Sequence, residues 1–229
     1  MPRRAVIFDL YGTLVPEFPH EDFYASIDHM AATLGADPAA FRDGWNETVV
    51  ARQTGGYATM EENVLAICEA MGLPEPDPNA VTRALERRAE MYETWFRPRD
   101  GAIETLTELR ARGLSLALIS MCAPDTPPMW NGSAFAGLVD VEVFSSVVGL
   151  RKPDPAIYRY ACDALGVEPQ DCLYCGDGAY HELTGATEFG MKAVEIRDPK
   201  VDVTTLLHLE GEDWTGARIA DLRELLAMV

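Results

Sequence analysis

The spacing of apolar residues changes along the chain. Ala5 to Leu10 (AVIFDL) is a short apolar run ending in Tyr-Gly-Thr, the pattern of a buried parallel strand that feeds a tight turn. Beyond Pro16 and Pro19 the apolar residues recur at helical spacing. Asp22 to Leu34, Pro38 to Arg52, Thr59 to Met71 and Pro78 to Trp95 each predict an amphipathic helix, separated by Gly55-Gly56, Gly72 with Pro74, and Pro98. From Gly101 onward strands and helices alternate. Strands are predicted at Leu114 to Ile119, Val141 to Phe144, Cys172 to Cys175 and Ala193 to Ile196. Helices are predicted at Ala102 to Arg112, Pro155 to Leu165, Glu182 to Phe189 and Ile219 to Met228. Repeated strand–helix units require a parallel sheet covered on both faces. The expected fold class is therefore α/β: a doubly wound, Rossmann-like core from residues 1–15 and 99–229. Residues 16–98 form an inserted α-helical cap over the strand ends.

Composition narrows the class. The 229 residues are 48% hydrophobic and 9% aromatic, ordinary for a globular chain able to bury a core. Acids outnumber bases 37 to 19, a formal charge of −18, which argues against nucleic acid or acidic lipid as partner. The insert contributes 15 acids against 6 bases. No apolar run is long enough to span a membrane. Met1-Pro2-Arg3-Arg4 leads straight into the first strand with no leader-like segment. Cys172 and Cys175 form a C-x-x-C inside an apolar run, with no second pair to complete a metal site. The five cysteines read as buried thiols of a reducing cytoplasm.

Open parallel sheets bind ligands beyond the carboxyl ends of their strands. The residues delivered there are Asp9 with Gly12 and Thr13, then Ser120, then Gly149-Leu-Arg-Lys152-Pro-Asp154-Pro, then Asp177 followed by Glu182. A carboxylate can act as nucleophile and form a covalent intermediate. Hard oxygen donors from Asp9, Asp177 and Glu182 suit Mg²⁺. Thr13, Ser120 and Lys152 can hold phosphoryl oxygens and offset their charge. Each element alone is an ordinary turn; their order, each at a strand end, is the informative feature.

FDLYGTLV, LALIS, GLRKPDPAIY and YCGDGAYHELTGA resemble the four motifs of the haloacid dehalogenase-like hydrolase superfamily, and the insertion point resembles that of members with a helical-bundle cap. The resemblance implies Asp9 as nucleophile and metal ligand and the Tyr11 carbonyl as a further ligand. Thr13 and Ser120 would be phosphate-binding hydroxyls, and Lys152 the neutralising lysine. Asp177 would be the principal metal-site acid, with Glu182 a second acid acting through water.

One position departs from the phosphatase pattern. The second aspartate, which protonates the leaving oxygen, is replaced by Tyr11, a poor general base near neutrality. His181 is a conceivable substitute but reads as a solvent-facing helix-start residue. Tyr11 also resembles the 2-haloacid dehalogenases, which use no metal and lack an acid matching Asp177; retention of Asp177 and Glu182 favours phosphoryl chemistry. The imine chemistry of the phosphonate hydrolases is excluded, because the lysines are Lys152, Lys192 and Lys200 and none lies in the insert.

In the insert, Arg52-Gln-Thr-Gly55-Gly56-Tyr57 is expected to face the site and set specificity. Arg52 reads as a solvated helix residue, with a carboxylate clamp as the alternative. Phe23, Tyr24, Trp45, Tyr92 and Trp95 read as bundle core. The Pro-rich stretch from Met121 to Trp130 reads as a pocket-mouth loop or a rigid connector.

The expectation is a Mg²⁺-dependent hydrolase of a small phosphorylated metabolite, working through an aspartyl-phosphate on Asp9. A dehalogenase using Asp9 through an ester, and a degenerate phospho-ligand binder, are the alternatives. The closing segment ADLRELLAMV packs on the core or on a second copy, which leaves a homodimer open.

Overall fold

A computed structural model describes residues 4–207 and 212–229; residues 1–3, where no leader is expected, lie outside the described residues. The chain opens with β1 (Ala5–Phe8) and continues through α1 (His20–Thr33), α2 (Pro38–Glu47), α3 (Val49–Gln53), α4 (Met60–Ala70) and α5 (Pro78–Trp95). Next come α6 (Ala102–Ala111), β2 (Ser115–Ser120), α7 (Thr126–Asn131), β3 (Val141–Phe144) and α8 (Ser145–Val148). The last part holds α9 (Pro155–Leu165), β4 (Cys172–Gly176), α10 (Glu182–Phe189), β5 (Lys192–Ile196), β6 (Ala217–Ile219) and a 3-10 turn at Leu222–Ala227.

Among the described residues the strands form one six-stranded sheet in the order β3-β2-β1-β4-β5-β6, every neighbouring pair parallel. β1 lies between β2 and β4, with Phe8 level with Leu118 and Cys175. The strand pleat divides its side chains between two cores. Val6 and Phe8 join Leu106, Leu109 and Leu225 on one face; Ala5 and Ile7 join Ile157, Ala161 and Leu183 on the other. The core is thus doubly wound, as expected. The same alternation sends Cys172 and Cys175 to opposite faces, so they cannot converge on one ion.

Helices begin where the sequence supplies caps. Asp37, Asp77 and Asp154 each accept a backbone N–H in the first turn, each followed by a proline in that turn. Helices α1, α2, α4 and α5 enclose a core of their own around Ile27, Met30, Phe41, Trp45, Val64 and Ile67. The returning chain is tied to the first loop by Arg99, whose N–H donates to Leu14 O at 2.8 Å and whose Nη1 donates to Gly12 O at 2.8 Å.

Three expectations change. The helix predicted from Pro38 to Arg52 breaks at Thr48, whose hydroxyl donates back to the Gly44 and Trp45 carbonyls at 2.9 and 3.1 Å. The helix predicted from Ile219 to Met228 is instead strand to Ile219, followed by the 3-10 turn. Pairing of Ile219 with Ile196 on the sheet edge overrides its helical neighbours, and an Asp221–Glu224 capping box starts the turn only afterwards. The stretch from Met121 to Trp130 is no plain loop, since it contains α7. Among the described residues no helix is long and apolar enough to cross a membrane.

Candidate active site

The ends of β1, β2 and β4 converge on Asp9. Its N–H donates to Cys175 O at 2.9 Å, which fixes the loop as it leaves β1. Lys152, only 1% exposed, reaches this point from the turn before α9. Its Nζ donates to Asp9 Oδ1 at 2.6 Å and also to a carboxylate oxygen of Glu182. The Tyr174 hydroxyl donates to the same Glu182 oxygen at 2.6 Å, and Gly178 N–H donates to the other at 3.1 Å. Asp177 accepts from Ala179 N–H at 3.0 Å. Carboxylate oxygens of Asp9, Asp177 and Glu182 all lie within 4.8 Å of one another.

Two glycines make that approach possible. A Cβ on Gly12, where φ is +77°, would fall 2.1 Å from Asp177 Oδ2; one on Gly176 would fall 2.0 Å from Glu182 Oε1. Thr13 Oγ1 and Ser120 Oγ are buried with no hydrogen-bond partner among the described residues. Unpaired buried hydroxyls are costly, and two of them at neighbouring strand ends suit a ligand rich in acceptors.

Asp9 and Glu182 share one ammonium, and Asp177 lies within 4.8 Å of both. Burial and the Glu182 charge push Asp9 up to about 7 in spite of Lys152. Burial and Asp9 push Asp177 up to about 6. Burial works against the Lys152 charge, but Asp9 and Glu182 outweigh it and hold the ammonium protonated. The cluster has the charge and the hard oxygen donors that a divalent cation takes.

Tyr11 is not placed as a base. Burial and Tyr92 raise its phenol well above the ordinary value. Its hydroxyl shares a 2.9 Å hydrogen bond with Thr126, and its ring packs against Phe18 at 5.1 Å between centroids. His181 is exposed, as expected. Above Asp9 lies a cavity of about 120 Å³. Among the described residues lining it, the acids are Asp9 and Glu17. Burial and Asp177 raise the Glu17 carboxyl well above its ordinary range.

The insert forms the roof. Arg52, Gln53, Trp45, Asn46 and Val49 line the cavity from α2 and α3, and Arg88 and Tyr92 from α5. Arg52 is not solvated as expected: it is 4% exposed. The break at Thr48 lets its Nη1 donate to Trp45 O, Thr48 Oγ1 and Asn63 Oδ1 at 3.0–3.1 Å, while its Cζ stacks 4.0 Å from the Trp45 ring centroid. Gly55, Gly56 and Tyr57 do not line the cavity. Gly55 and Gly56 are exposed, and Gly55 lies over the Ser146 backbone. Phe23, Tyr24, Trp45 and Tyr92 serve the interior and the cavity wall together. Gln53 Nε2 donates to the Tyr180 hydroxyl at 3.0 Å, a direct link between roof and floor. Tyr180 and His181 both hold left-handed backbone, at φ +55° and +53°, in the turn joining Asp177 to Glu182.

The family model of the haloacid dehalogenase-like hydrolases matches residues 3–190. The chain belongs to this family. The hydrolase is 33% identical to phosphoserine phosphatase of Thermus thermophilus over 149 residues, 62% of this chain and 57% of that one; it therefore spans little more than half of that relative. It is 25% identical to (S)-2-haloacid dehalogenase 4A of Burkholderia cepacia over 215 residues, 90% of this chain and 89% of that one. Its fold matches a phosphatase of the same family from Thermococcus onnurineus with a TM-score of 0.66 at 21% identity, covering 98% and 97% of the two chains. Relatives of both chemistries thus surround this hydrolase.

Sequence reasoning missed Glu17 and Arg88. Glu17 stands in Pro-Glu-Phe-Pro, an acid alone in an apolar linker, which was the available signal. Arg88 falls in register with Val81, Ala84 and Met91, the buried stripe of α5. An arginine on such a stripe needs an internal partner.

Proposed function

We propose that this hydrolase is a Mg²⁺-dependent phosphatase of a small phosphorylated metabolite, a cytoplasmic enzyme working through an aspartyl-phosphate on Asp9. The observation that supports the reading is the trio of Asp9, Asp177 and Glu182 drawn together, with Lys152 bonded to Asp9 and Glu182. The metal would be held by Asp9, Asp177 and the Tyr11 carbonyl, with Glu182 behind them. When bound, it supplies positive charge to the phosphoryl oxygens and relieves repulsion among the carboxylates.

The residues then divide the work. Lys152 and the Thr13 and Ser120 hydroxyls hold the phosphoryl group, and Lys152 favours the ionised form of Asp9 beside it. Asp9 Oδ attacks phosphorus as the bond to the leaving oxygen breaks. Water then attacks the same phosphorus and releases Asp9. Tyr11 cannot handle the proton. Glu17, the other acid in the cavity, whose neutral form is favoured by burial and by Asp177, gives it to the leaving oxygen and takes one from the attacking water.

Tyr11 favours a second reading, a 2-haloacid dehalogenase in which Asp9 attacks carbon and displaces halide; the relative from Burkholderia cepacia bears that name. One comparison separates the two. Para-nitrophenyl phosphate and 2-chloropropionate are each assayed with Mg²⁺ and with chelator. Phosphate release that requires Mg²⁺ and disappears in Asp9→Asn supports the phosphatase. Halide release that survives chelation replaces it with the dehalogenase, and inactivity on both leaves a phospho-ligand binder.

A further inference from the structure

The roof of the cavity has positive charge without a counter-ion. Arg88 is paired: its Nε donates to Asp125 Oδ2 at 2.6 Å and its Nη2 to the Tyr92 hydroxyl at 2.7 Å. Its Nη1 is buried and has no acceptor among the described residues. Arg52 forms no ion pair among the described residues. Only its Nη1 is engaged there, with two neutral oxygens of its own helices and an amide oxygen of α4. Burial and Arg88 push Arg52 down to about 9, and the carboxylate that offsets this, Asp125, is the one already paired with Arg88. The two guanidiniums lie 4.0 and 5.2 Å from the same Trp45 ring, whose own buried Nε1 has no acceptor among the described residues. Arg52, Arg88 and Trp45 all line the cavity that Asp9 closes from below, and much of the wall between them is apolar, from Phe18, Phe23 and Val49.

We propose that Arg52 and Arg88 form an anion subsite in this roof, and that the substrate is a phosphorylated carboxylic acid whose carboxylate binds there. An apolar spacer separates the carboxylate from the phosphate, and no ammonium group adjoins it. The charge count selects a carboxylate. With Arg88 balanced by Asp125, one positive charge remains, which matches a monoanion better than a second phosphate. A guanidinium fork suits that geometry, and the apolar wall strengthens the bond. The same charge repels an amino group, so an amino-acid phosphate is a poor fit. The apolar wall between the two charged ends sets the spacer. The inference rests on the phosphatase reading only for the group placed at Asp9.

The test compares para-carboxyphenyl phosphate, phenyl phosphate, para-aminomethylphenyl phosphate and para-phenylene bisphosphate on the wild-type enzyme with Mg²⁺. The carboxylate is expected to raise kcat/KM by about tenfold or more over phenyl phosphate, mainly through KM. The ammonium is expected to lower it. In Arg52→Gln the ratio between the first two substrates falls toward one, and Arg52→Lys keeps part of it. A wild-type ratio near one, a ratio untouched by Arg52→Gln, or a preference for the bisphosphate over the carboxylate overturns the subsite. The wild-type comparison needs no variant, so an unfolded Arg52→Gln does not stop the test. If no aryl phosphate is hydrolysed, the phosphatase reading fails on its own. Calorimetry with para-hydroxybenzoate against phenol then decides the subsite. Binding about tenfold tighter or more for the acid, lost in Arg52→Gln, upholds it. Equal binding overturns it.

Discussion

The floor and the roof of the cavity carry opposite charge and are built in different ways. The floor gathers Asp9, Asp177 and Glu182 within 4.8 Å of one another, with one ammonium bonded to Asp9 and Glu182, the side chains delivered from loops and a helix start just past the strand ends. The roof gathers two guanidiniums around one indole, delivered by two helices far apart in sequence, against one core carboxylate, Asp125. Strand ends fix a group through the backbone, as the hydrogen bond from Asp9 N–H to Cys175 O shows. The roof guanidiniums are held mainly through other side chains, Arg52 by Thr48, Asn63 and the Trp45 ring and Arg88 by Asp125 and Tyr92, which leaves the roof room to vary. On the proposed reading, the contrast divides the reaction, at the floor, from the choice of ligand, at the roof.

The strongest test of that division is Asp9→Asn. It removes the proposed nucleophile and keeps the shape, so turnover is expected to fall by about 10⁴-fold or more, with ligand affinity at the roof retained. Single-turnover kinetics and calorimetry on the same variant read both quantities. Loss of affinity along with turnover would show floor and roof to be one unit. Next in size is Lys152→Met. It leaves buried carboxylates without their cation, and such a loss costs about 3–5 kcal/mol. Chemical denaturation is expected to show it as a lower midpoint, with partial recovery in Mg²⁺.

The floor was legible because its residues sit within a few positions of apolar strand runs, where sequence distance and spatial distance agree. Asp9, Thr13, Ser120, Lys152, Asp177 and Glu182 could each be located from the turn that carries it. The roof was not legible for two physical reasons. The Thr48 break reorients Arg52, and a side-chain hydroxyl competing for two carbonyls leaves no mark on apolar spacing. The partnership of Arg52 and Arg88 on one indole depends on how α2, α3 and α5 cross, which single-helix periodicity does not encode. The missed strand β6 is a third case: three residues, Ala217 to Ile219, gain their strand character from pairing with β5 alone.

Glu17→Gln lies between floor and roof and sharpens their boundary. If its carboxyl moves the proton, the rate on a substrate with a poor leaving group is expected to drop by about 10²-fold or more. A nitrophenyl ester, whose leaving group needs little protonation, is expected to lose much less. A uniform drop on both would make Glu17 a support for the loop between Val15 and Pro19 and return the acid/base position to solvent.

The smallest expected effect is on stability against pH, and it bears on the floor alone. In the absence of divalent cation, Asp9 titrates at about 7 and Asp177 at about 6 in the folded chain, against an ordinary 3.8. The folded state therefore holds more protons than the unfolded state between these limits. By linkage, the stability this contributes is full below the ordinary carboxylate range and is lost as pH rises through about 6 and 7. In chelator, Tm measured by scanning calorimetry is expected to fall by a few degrees between pH 5 and pH 8 (with the usual size scaling of about 2–4 °C per kcal/mol). Saturating Mg²⁺ replaces those protons, so it is expected to raise Tm most at pH 8 and to flatten the profile. Asp177→Asn removes one of the two carboxylates and is expected to flatten the chelator profile while weakening the Mg²⁺ response. A Tm that rises with pH in chelator, or a Mg²⁺ effect as large in Asp177→Asn as in the parent, would place the cation away from the floor and leave Lys152 as the sole charge opposing Asp9.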